Sequence, residues 1–247
     1  MPDESNPAVW QTPEVAPRSL QNIRRAAPLS IEQVDIMLRL INAACSHVHW
    51  FLGLGCGDSL LASAILDEHP HARCVMVDSS EARLDSSRQH LRPHIGRVDF
   101  LRADLNQPDW GAALAAQKPF DAVISAFTIH LLSDPQKQAA YNTAFRLLRP
   151  EGIFINIEHV ASATRWTESV WDDYTIDSIF GGHLQQSDGR TRAQVAREYY
   201  ESALPEAPVL APLEVQCDWL RSCGFESVEC YLKVLELAVF GGQKPAV

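Results

Sequence analysis

Three glycines stand at alternate positions in F-L-G-L-G-C-G-D-S-L, which spans residues 51–60 and opens on an apolar run. Glycine adopts backbone angles that are closed to other residues, and it lets another group come close to the main chain. The dinucleotide-binding pattern G-x-G-x-x-G fails in both registers, because Asp58 and Leu60 stand where its third glycine would be. The turn at residues 55–57 therefore predicts the close approach of a ligand that lacks phosphates.

A carboxylate follows at the end of the next predicted strand. Asp78 closes the run V-M-V-D, 21 residues after Gly57. At that offset a carboxylate can accept both hydroxyl groups of a ribose. The alternative is a helix N-cap, because D-S-S-E precedes a predicted helix. We expect Ser79 or Ser80 to cap the helix while Asp78 faces the ligand.

A second carboxylate follows the third predicted strand, in F-L-R-A-D-L. Asp104 would accept a hydrogen from the exocyclic amine of an adenine, while Leu105 offers an amide and an apolar wall. Taken alone, Asp104 is more simply explained as a loop aspartate.

Two histidines follow later strands of the same series. His130 lies five positions after Ser125, on a predicted loop or helical turn, and His159 comes directly after Glu158. An imidazole with an unperturbed pKa near 6.5 is suited to accepting a proton. His130 is the first candidate for a catalytic base and His159 the second, and a packing or loop role is the alternative for both.

Alternating strands and helices must position these side chains. The hydrophobic patterns predict a first helix over residues 30–45, followed by strands and helices in alternation. The predicted strands span residues 47–54, 73–77, 97–102, 120–125 and 153–157. The predicted helices between them span residues 59–68, 80–91, 109–116 and 135–148. Such alternation indicates a parallel, doubly wound sheet with right-handed crossovers. A helix over 212–222 and two strands over 227–233 and 235–240 complete the pattern, and the short connection makes these two strands antiparallel neighbours.

The alternation breaks between residues 161 and 211. No strand pattern fits this stretch, but helical patterning does, and it is rich in aromatic side chains. We expect a helical lid that binds an acceptor through Trp166, Trp171, Tyr174, His183 and Tyr200. Aromatic walls suit an apolar or aromatic acceptor, or a cation over a ring face; ordinary core packing is the alternative. The predicted organisation is an arm and helix (1–46), a core (47–160), the lid (161–211) and the completion of the core sheet (212–247).

Composition narrows the class of partner. The chain has 247 residues and a formal net charge of −10, which opposes attraction to a phosphate backbone. Its six cysteines are scattered without zinc-site spacing, so we expect no metal. We find neither a targeting peptide nor a run of about 18 apolar residues that could span a membrane. These features favour a cytoplasmic protein that has no membrane partner. They disfavour a nucleic-acid partner, and they are compatible with a homodimer.

The ordered set of motifs resembles the class I methyltransferases that use S-adenosylmethionine, in particular small-molecule enzymes of the type 11 and 12 groups. The matching segments are L-G-L-G-C-G-D-S (52–59), the acids Asp78 and Asp104, F-D-A-V-I-S-A-F-T-I-H-L-L (120–132), L-L-R-P-E-G-I-F-I-N (147–156) and the closing hairpin (224–242). The resemblance implies an α/β, Rossmann-like fold: a seven-stranded, mostly parallel sheet with helices on both faces, an antiparallel C-terminal hairpin strand and a helical lid insertion.

The same resemblance implies a function and a set of site residues. The cofactor would be S-adenosyl-L-methionine, and its methyl group would pass to an oxygen, nitrogen or sulfur atom of a small molecule. The residues expected to bind the cofactor are Gly55, Cys56, Gly57, Asp78, Ser79, Ala103, Asp104, Leu105, Ser125 and Ala126. Two alternatives remain open: a methyltransferase of the tRNA wobble-modification type, and a non-catalytic regulatory or scaffold protein that binds S-adenosylmethionine.

One departure from the family pattern affects the expected cofactor contacts. Family members usually carry an acid where this chain has Gly53, and that acid contacts the amino group of the methionine. The resemblance therefore implies that backbone carbonyls near Gly55 and Ser125, or the side chain of Asp58, replace it.

Overall fold

The computed structural model describes residues 29–56, 59–115, 119–186, 189–202 and 209–246, in which seven strands form one sheet. The strands are β1 (Trp50–Leu54), β2 (Arg73–Asp78), β3 (Val98–Arg102), β4 (Phe120–Ala126), β5 (Leu148–His159), β6 (Glu226–Val234) and β7 (Leu237–Gln243). Their spatial order is β3-β2-β1-β4-β5-β7-β6. Strands β1 to β5 are parallel, and β7 runs antiparallel to both β5 and β6. The predicted fold class and the antiparallel hairpin are confirmed.

Helices connect the strands and cover both faces of the sheet. They are α1 (Ser30–Ala44), α2 (Leu60–Glu68), α3 (Glu81–His90), α4 (Ala112–Ala115), α5 (Asp134–Leu147), α6 (Arg165–Gln186), α7 (Arg192–Ser202) and α8 (Leu213–Ser222), with 3-10 turns at Arg92–Arg97 and Ile129–Leu131. In α1 the apolar side chains recur at helical spacing and are buried, namely Val34, Met37, Leu38 and Ile41.

The central strands are apolar on both faces because helices cover both. On one face Ile124 and Ile155 join a cluster with Met37 of α1. On the other face Val123 and Phe154 join a second cluster with α5 and α8. Parallel strands buried on two sides are expected to read as continuous apolar runs, which is why the sequence pattern identified them. The rigid layers hold the carboxyl ends of the strands in a fixed arrangement.

Several strand bounds differ from the predictions, and hydrogen bonds to Asp121 accompany two of these differences. β1 begins at Trp50 instead of residue 47, because the amides of His49 and Trp50 donate to Asp121 Oδ2 at 2.7 and 2.9 Å. β5 begins at Leu148, so the residues predicted as a turn at 149–152 belong to the strand. The Arg149 Nε bond to Asp121 Oδ1, at 2.6 Å, holds that segment against β4.

The stretch predicted as a lid begins and ends at one place, beside the carboxyl end of β5. The Ala161 amide donates to the carbonyl oxygen of Ala211 at 3.0 Å. Between these points the described residues form α6 and α7, which are joined where Arg192 binds Asp173 and Asp177 at 3.0 and 2.6 Å. Helical structure in this stretch is confirmed, whereas its action as a lid stays a prediction.

Candidate active site

The turn after β1 has a backbone that only glycine adopts easily. Gly55 has φ +80°, and a Cβ added there would lie 1.9 Å from Thr128 Oγ1. Its amide donates to the Val77 carbonyl at 2.8 Å, which joins the turn to β2. The close contact with Thr128 brings the loop that follows β4 directly against the turn. Gly57, the third residue predicted in this turn, lies outside the described residues.

Asp78 links the turn to the end of β2. The side chain is 6% exposed; its Oδ2 accepts from the Cys56 amide and its Oδ1 from the Ser80 amide, both at 2.9 Å. A carboxylate offers about four lone-pair sites, so two sites remain for further donors such as ribose hydroxyls. Ser80 is the helix N-cap, as its Oγ accepts from the Arg83 amide at 3.4 Å.

Asp104 lies at the end of the neighbouring strand. Its Oδ1 accepts from the Asn106 amide at 2.9 Å and from Asn106 Nδ2 at 2.8 Å, and these hydrogen bonds lower the pKa of the carboxyl. The Ala103 amide donates to the Asp78 carbonyl at 3.1 Å, which brings the two acidic ends together. Leu105 is buried beside them. The carbonyl of Ser79 accepts from Arg102 Nε at 3.2 Å.

The end of β4 carries a buried hydroxyl without a partner. Ser125 Oγ and Asn156 Oδ1 have no hydrogen-bond partner in the described part of the chain, and the two residues are register partners in β4 and β5. Buried polar groups are almost always hydrogen-bonded, so this site suits a polar ligand atom or a water molecule. The carbonyl of Ala126 accepts from Thr128 Oγ1 at 2.9 Å.

Gly53 is explained by packing. A Cβ at this position would lie 2.6 Å from Met76 Sδ on the neighbouring strand. The Met76 thioether, the far end of a flexible side chain, therefore occupies the space that an acid at this position would need and would have to move to admit one.

His130 and Glu158 form a hydrogen-bonded pair at the carboxyl end of β5. His130 Nδ1 lies 2.6 Å from Glu158 Oε1, and the His130 amide donates to Oε2 at 3.0 Å. Glu158 is fully buried, and its Oε1 also accepts from the His159 amide at 3.0 Å. Because the carboxylate accepts from Nδ1, the neutral ring presents the lone pair of Nε2, for which the described residues provide no partner.

A second histidine and glutamate lie beside the first pair. His159 Nε2 is 2.5 Å from Glu236 Oε2, and Glu236, in the connection between β6 and β7, is 2% exposed. The rings of His130 and His159 are 6.2 Å apart between centroids. Trp171 of α6 lies against His159, with ring centroids 5.4 Å apart. Four segments of the chain thus meet at one cluster.

The predicted acceptor residues separate into two groups. Trp171 and Tyr174 pack together beside His159, with 6.2 Å between their ring centroids. Trp166 and Tyr200 are 76% and 54% exposed and take no part in this packing. Of His183 only the backbone, within α6, is described, so its side chain lies outside the described residues.

Sequence reasoning missed two buried charged groups at this site. Glu236 stands in the apolar hairpin V-L-E-L-A-V, where an isolated charge was the available signal. Lys137 lies on α5, and its fully buried Nζ donates to the carbonyls of Leu132 and Val209 at 2.7 and 2.5 Å and to Asp134 Oδ1 at 3.1 Å. The single lysine in a polar helix gave no comparable signal.

Three further observations bear on the chemistry of the site. All six cysteines are unpaired, and burial raises the pKa of the Cys56 thiol to about 12, so it is no nucleophile near neutral pH. Across the described ranges, no group of three or more histidine, cysteine or acidic side chains is arranged to hold a metal ion.

None of the helices described here has the length and apolar character needed to cross a bilayer.

Comparison with known proteins connects this geometry to a family. Residues 51–152 match a family model described as a methyltransferase domain. A carboxy-S-adenosyl-L-methionine synthase from a Nitratiruptor species is 24% identical over 208 residues, covering 84% of this chain and 81% of the synthase. A ribosomal RNA large subunit methyltransferase G from Shewanella amazonensis is 29% identical over 154 residues, covering 60% of this chain and 39% of that protein.

A solved structure shares the fold. An O-methyltransferase family protein from Burkholderia thailandensis superposes with a TM-score of 0.59 at 15% identity, over 87% of this chain and 57% of that one. The chain thus spans less than two thirds of the length of that protein and of the ribosomal RNA methyltransferase.

The residues at the carboxyl edge of the sheet fit an S-adenosyl nucleoside. Gly55 lets the turn and Thr128 approach each other closely, Asp78 keeps acceptor sites, and Ser125 presents an unpaired buried hydroxyl. Together with the strand order, the methyltransferase-domain match over residues 51–152 and the relatives, these features support a class I S-adenosylmethionine-dependent methyltransferase.

Proposed function

We propose that this protein transfers the methyl group of S-adenosyl-L-methionine to an oxygen, nitrogen or sulfur atom of a small molecule, with His130 as the general base. The observation that carries the proposal is the 2.6 Å bond between His130 Nδ1 and Glu158. Thr128 contacts the glycine turn and lies two residues before His130. The loop that carries the candidate base therefore contacts the turn through Thr128.

The cofactor would lie across the ends of β1, β2, β3 and β4. Asp78 would accept the ribose hydroxyls, while Asp104 and Leu105 would contact the adenine. Gly55, Ser125 and Ala126 would line the methionine end, with Cys56, Ser79 and Ala103 providing the backbone between these groups. When bound, the cofactor supplies a methyl group on a sulfonium cation that an acceptor atom attacks in line.

His130 would take a proton from the acceptor through Nε2. Glu158 orients the ring by holding Nδ1, and its buried charge stabilises the imidazolium that results. A positioned base contributes typically 10²- to 10⁴-fold to a rate. It matters when the acceptor is a hydroxyl, a thiol or a protonated amine, and orientation of the reactants adds at most about 7–11 kcal/mol.

The stretch of residues 161–211 would enclose the acceptor. The half-buried Tyr174 and His159 would line the acceptor pocket, with Trp171 packed in the core between them, and such rings suit a planar or apolar molecule. Trp166, His183 and Tyr200 stay predicted acceptor contacts. A closed, dry site would favour the near-attack arrangement.

Calorimetry and turnover test the proposal on the full-length protein. We expect S-adenosylmethionine and S-adenosylhomocysteine to bind and a panel of phenols, thiols and amines to yield S-adenosylhomocysteine. His130→Gln should lower turnover at least a hundredfold and leave cofactor affinity unchanged; His47→Gln, an exposed histidine before β1, is the matched control. Full activity of His130→Gln would remove the base from the mechanism.

A carboxy-S-adenosylmethionine synthase is the second candidate. The observation in its favour is that the synthase match extends over 84% of the chain, well beyond the methyltransferase domain. Mass spectrometry of the cofactor after incubation with cell extract separates the two, because a synthase would leave a carboxylated cofactor and a methyltransferase would leave S-adenosylhomocysteine.

Two other functions are less well supported. Transfer to RNA, suggested by the ribosomal RNA enzyme among the relatives, is opposed by the net charge of −10 and by the pairing of Arg190 and Arg192 with acidic side chains. RNA binding that falls steeply with salt would favour it. Cofactor binding without turnover of any acceptor would favour a regulatory or scaffold protein.

A further inference from the structure

We infer that His159 and Glu236 form a second recognition site within the acceptor pocket, and that the acceptor carries two hydroxyl groups, one at each histidine. This inference rests on the proposed function. The observation behind it is that two imidazole rings lie side by side, with their centroids 6.2 Å apart, and that each ring is hydrogen-bonded to its own buried carboxylate.

The hydrogen-bond partners fix what each ring can offer. Glu236 accepts from Nε2 of His159, so the neutral ring presents a lone pair at Nδ1, as the neutral ring of His130 does at Nε2. Two lone pairs call for two donors on the ligand. A hydroxyl group supplies such a donor, whereas a ligand carboxylate would meet two acceptors backed by negative charge.

Burial shows which way the pairs face. The side chains of His130 and His159 are 14% and 22% exposed, while those of their glutamates are 0% and 3% exposed. The carboxylates therefore lie beneath the imidazoles, and the rings form the accessible surface. Two hydroxyl groups on neighbouring or next-neighbouring carbons of one ring would match two imidazoles at this separation.

The packing partners support a flat ligand. Trp171 lies over His159 with an interplanar angle of 40°, and Tyr174 follows it. Trp171 is buried in the core behind His159, so an aromatic ring placed over the accessible edges of His130 and His159 would keep its two hydroxyl groups at the imidazoles. The second pair would thereby hold one hydroxyl group while the other reaches the base.

Binding of matched probes to the full-length protein saturated with S-adenosylhomocysteine tests the inference without turnover. The probes are catechol and resorcinol, with two hydroxyls, against phenol and 2-methoxyphenol, with one, and affinity is measured by ligand-observed NMR titration. We expect one of the dihydroxy compounds to bind about fivefold more tightly than phenol, the effect of one extra hydrogen bond. 2-Methoxyphenol should bind no better than phenol.

Variants distinguish recognition from a structural role. His159→Phe keeps a ring against Trp171. It should reduce the preference for the dihydroxy probe over phenol to about onefold, with the affinity for S-adenosylhomocysteine unchanged. Glu236→Gln keeps the shape of the side chain and should also reduce the preference. His47→Gln should retain it. Equal binding of all probes, no probe binding to the loaded protein, or a preference that survives in His159→Phe would each overturn the inference.

Failure of the proposed function gives a different result. A protein that does not bind S-adenosylhomocysteine at all overturns the proposed function and the inference together. A loaded protein that methylates monohydroxy and dihydroxy acceptors equally well supports the function and overturns the inference alone.

Discussion

The buried ammonium group of Lys137 lies 2.5 Å from the carbonyl oxygen of Val209, a residue 72 positions further along the chain. The Val209 amide in turn donates to the carbonyl of His130 at 2.8 Å. Two bonds therefore join the loop that carries the candidate base to the segment where the chain returns from α7. The position of His130 depends on this return segment as well as on Glu158.

Replacing Lys137 with methionine should loosen that connection. The change leaves the carbonyls of Leu132 and Val209 without their donor, and we expect a loss of about 1–3 kcal/mol in the free energy of unfolding. Amide hydrogen exchange should speed up in residues 129–132 and 209–211. Lys233→Met is the control, since Lys233 Nζ also donates to a carbonyl but is exposed. Unchanged exchange in both segments would contradict the assigned role.

Asp78 should contribute strongly to cofactor affinity. Asp78→Ala removes charge-assisted hydrogen bonds to the ribose and should weaken binding by about 1.5–3 kcal/mol, or roughly ten- to a hundredfold in Kd. Calorimetry with S-adenosylhomocysteine measures the change. Asp99→Ala, an exposed carboxylate on β3, should leave the Kd unchanged. An unaltered Kd in Asp78→Ala would exclude Asp78 from the ribose site.

Restoring the family acid at position 53 should destabilise the protein. Gly53→Asp places a side chain within 2.6 Å of Met76 Sδ, and overpacking alone costs about 1–3 kcal/mol. The urea midpoint measures the loss. Met76→Ala also lowers stability by itself, but the double variant should lose less than the sum of the two single losses, because the space is then free. Additive effects would show that Met76 is not the obstacle.

Acid should destabilise the protein through a buried histidine. Burial is the main cause of the lowered pKa of His94, and Arg97 Nη2 lies 2.8 Å from its Nδ1, which favours the neutral ring. The pKa of His94 is lower in the folded state than the value of 6.5 in the unfolded state. The stability that the neutral ring contributes is therefore complete above pH 6.5 and is lost as the pH falls. His94→Gln should flatten the decline of the melting temperature from pH 7 to 5. His90→Gln, on the exposed end of α3, should not.

Much of the fold was readable from the sequence because the signals are local. Val123 and Ile124 in a continuous apolar run, and Leu38 and Ile41 at helical spacing, reveal a buried strand and an amphipathic helix without any distant contact. Where a distant contact sets the end of a strand, the prediction is less accurate. Asp121 binds the amides at the start of β1, and the predicted start of β1 is three residues early. The hydrogen bond depends on a residue 72 positions away.

By itself the sequence determined the order of strands and helices, the glycine turn and the two acids at the ends of β2 and β3, because each follows from residue type and spacing along one segment. Only the tertiary structure decided that His130 meets Glu158 and that His159 meets Glu236, across separations of 28 and 77 residues. Such pairs form only when packed layers bring separate segments of the chain together. A buried charge is stable only where hydrogen-bonding or charged partners lie next to it.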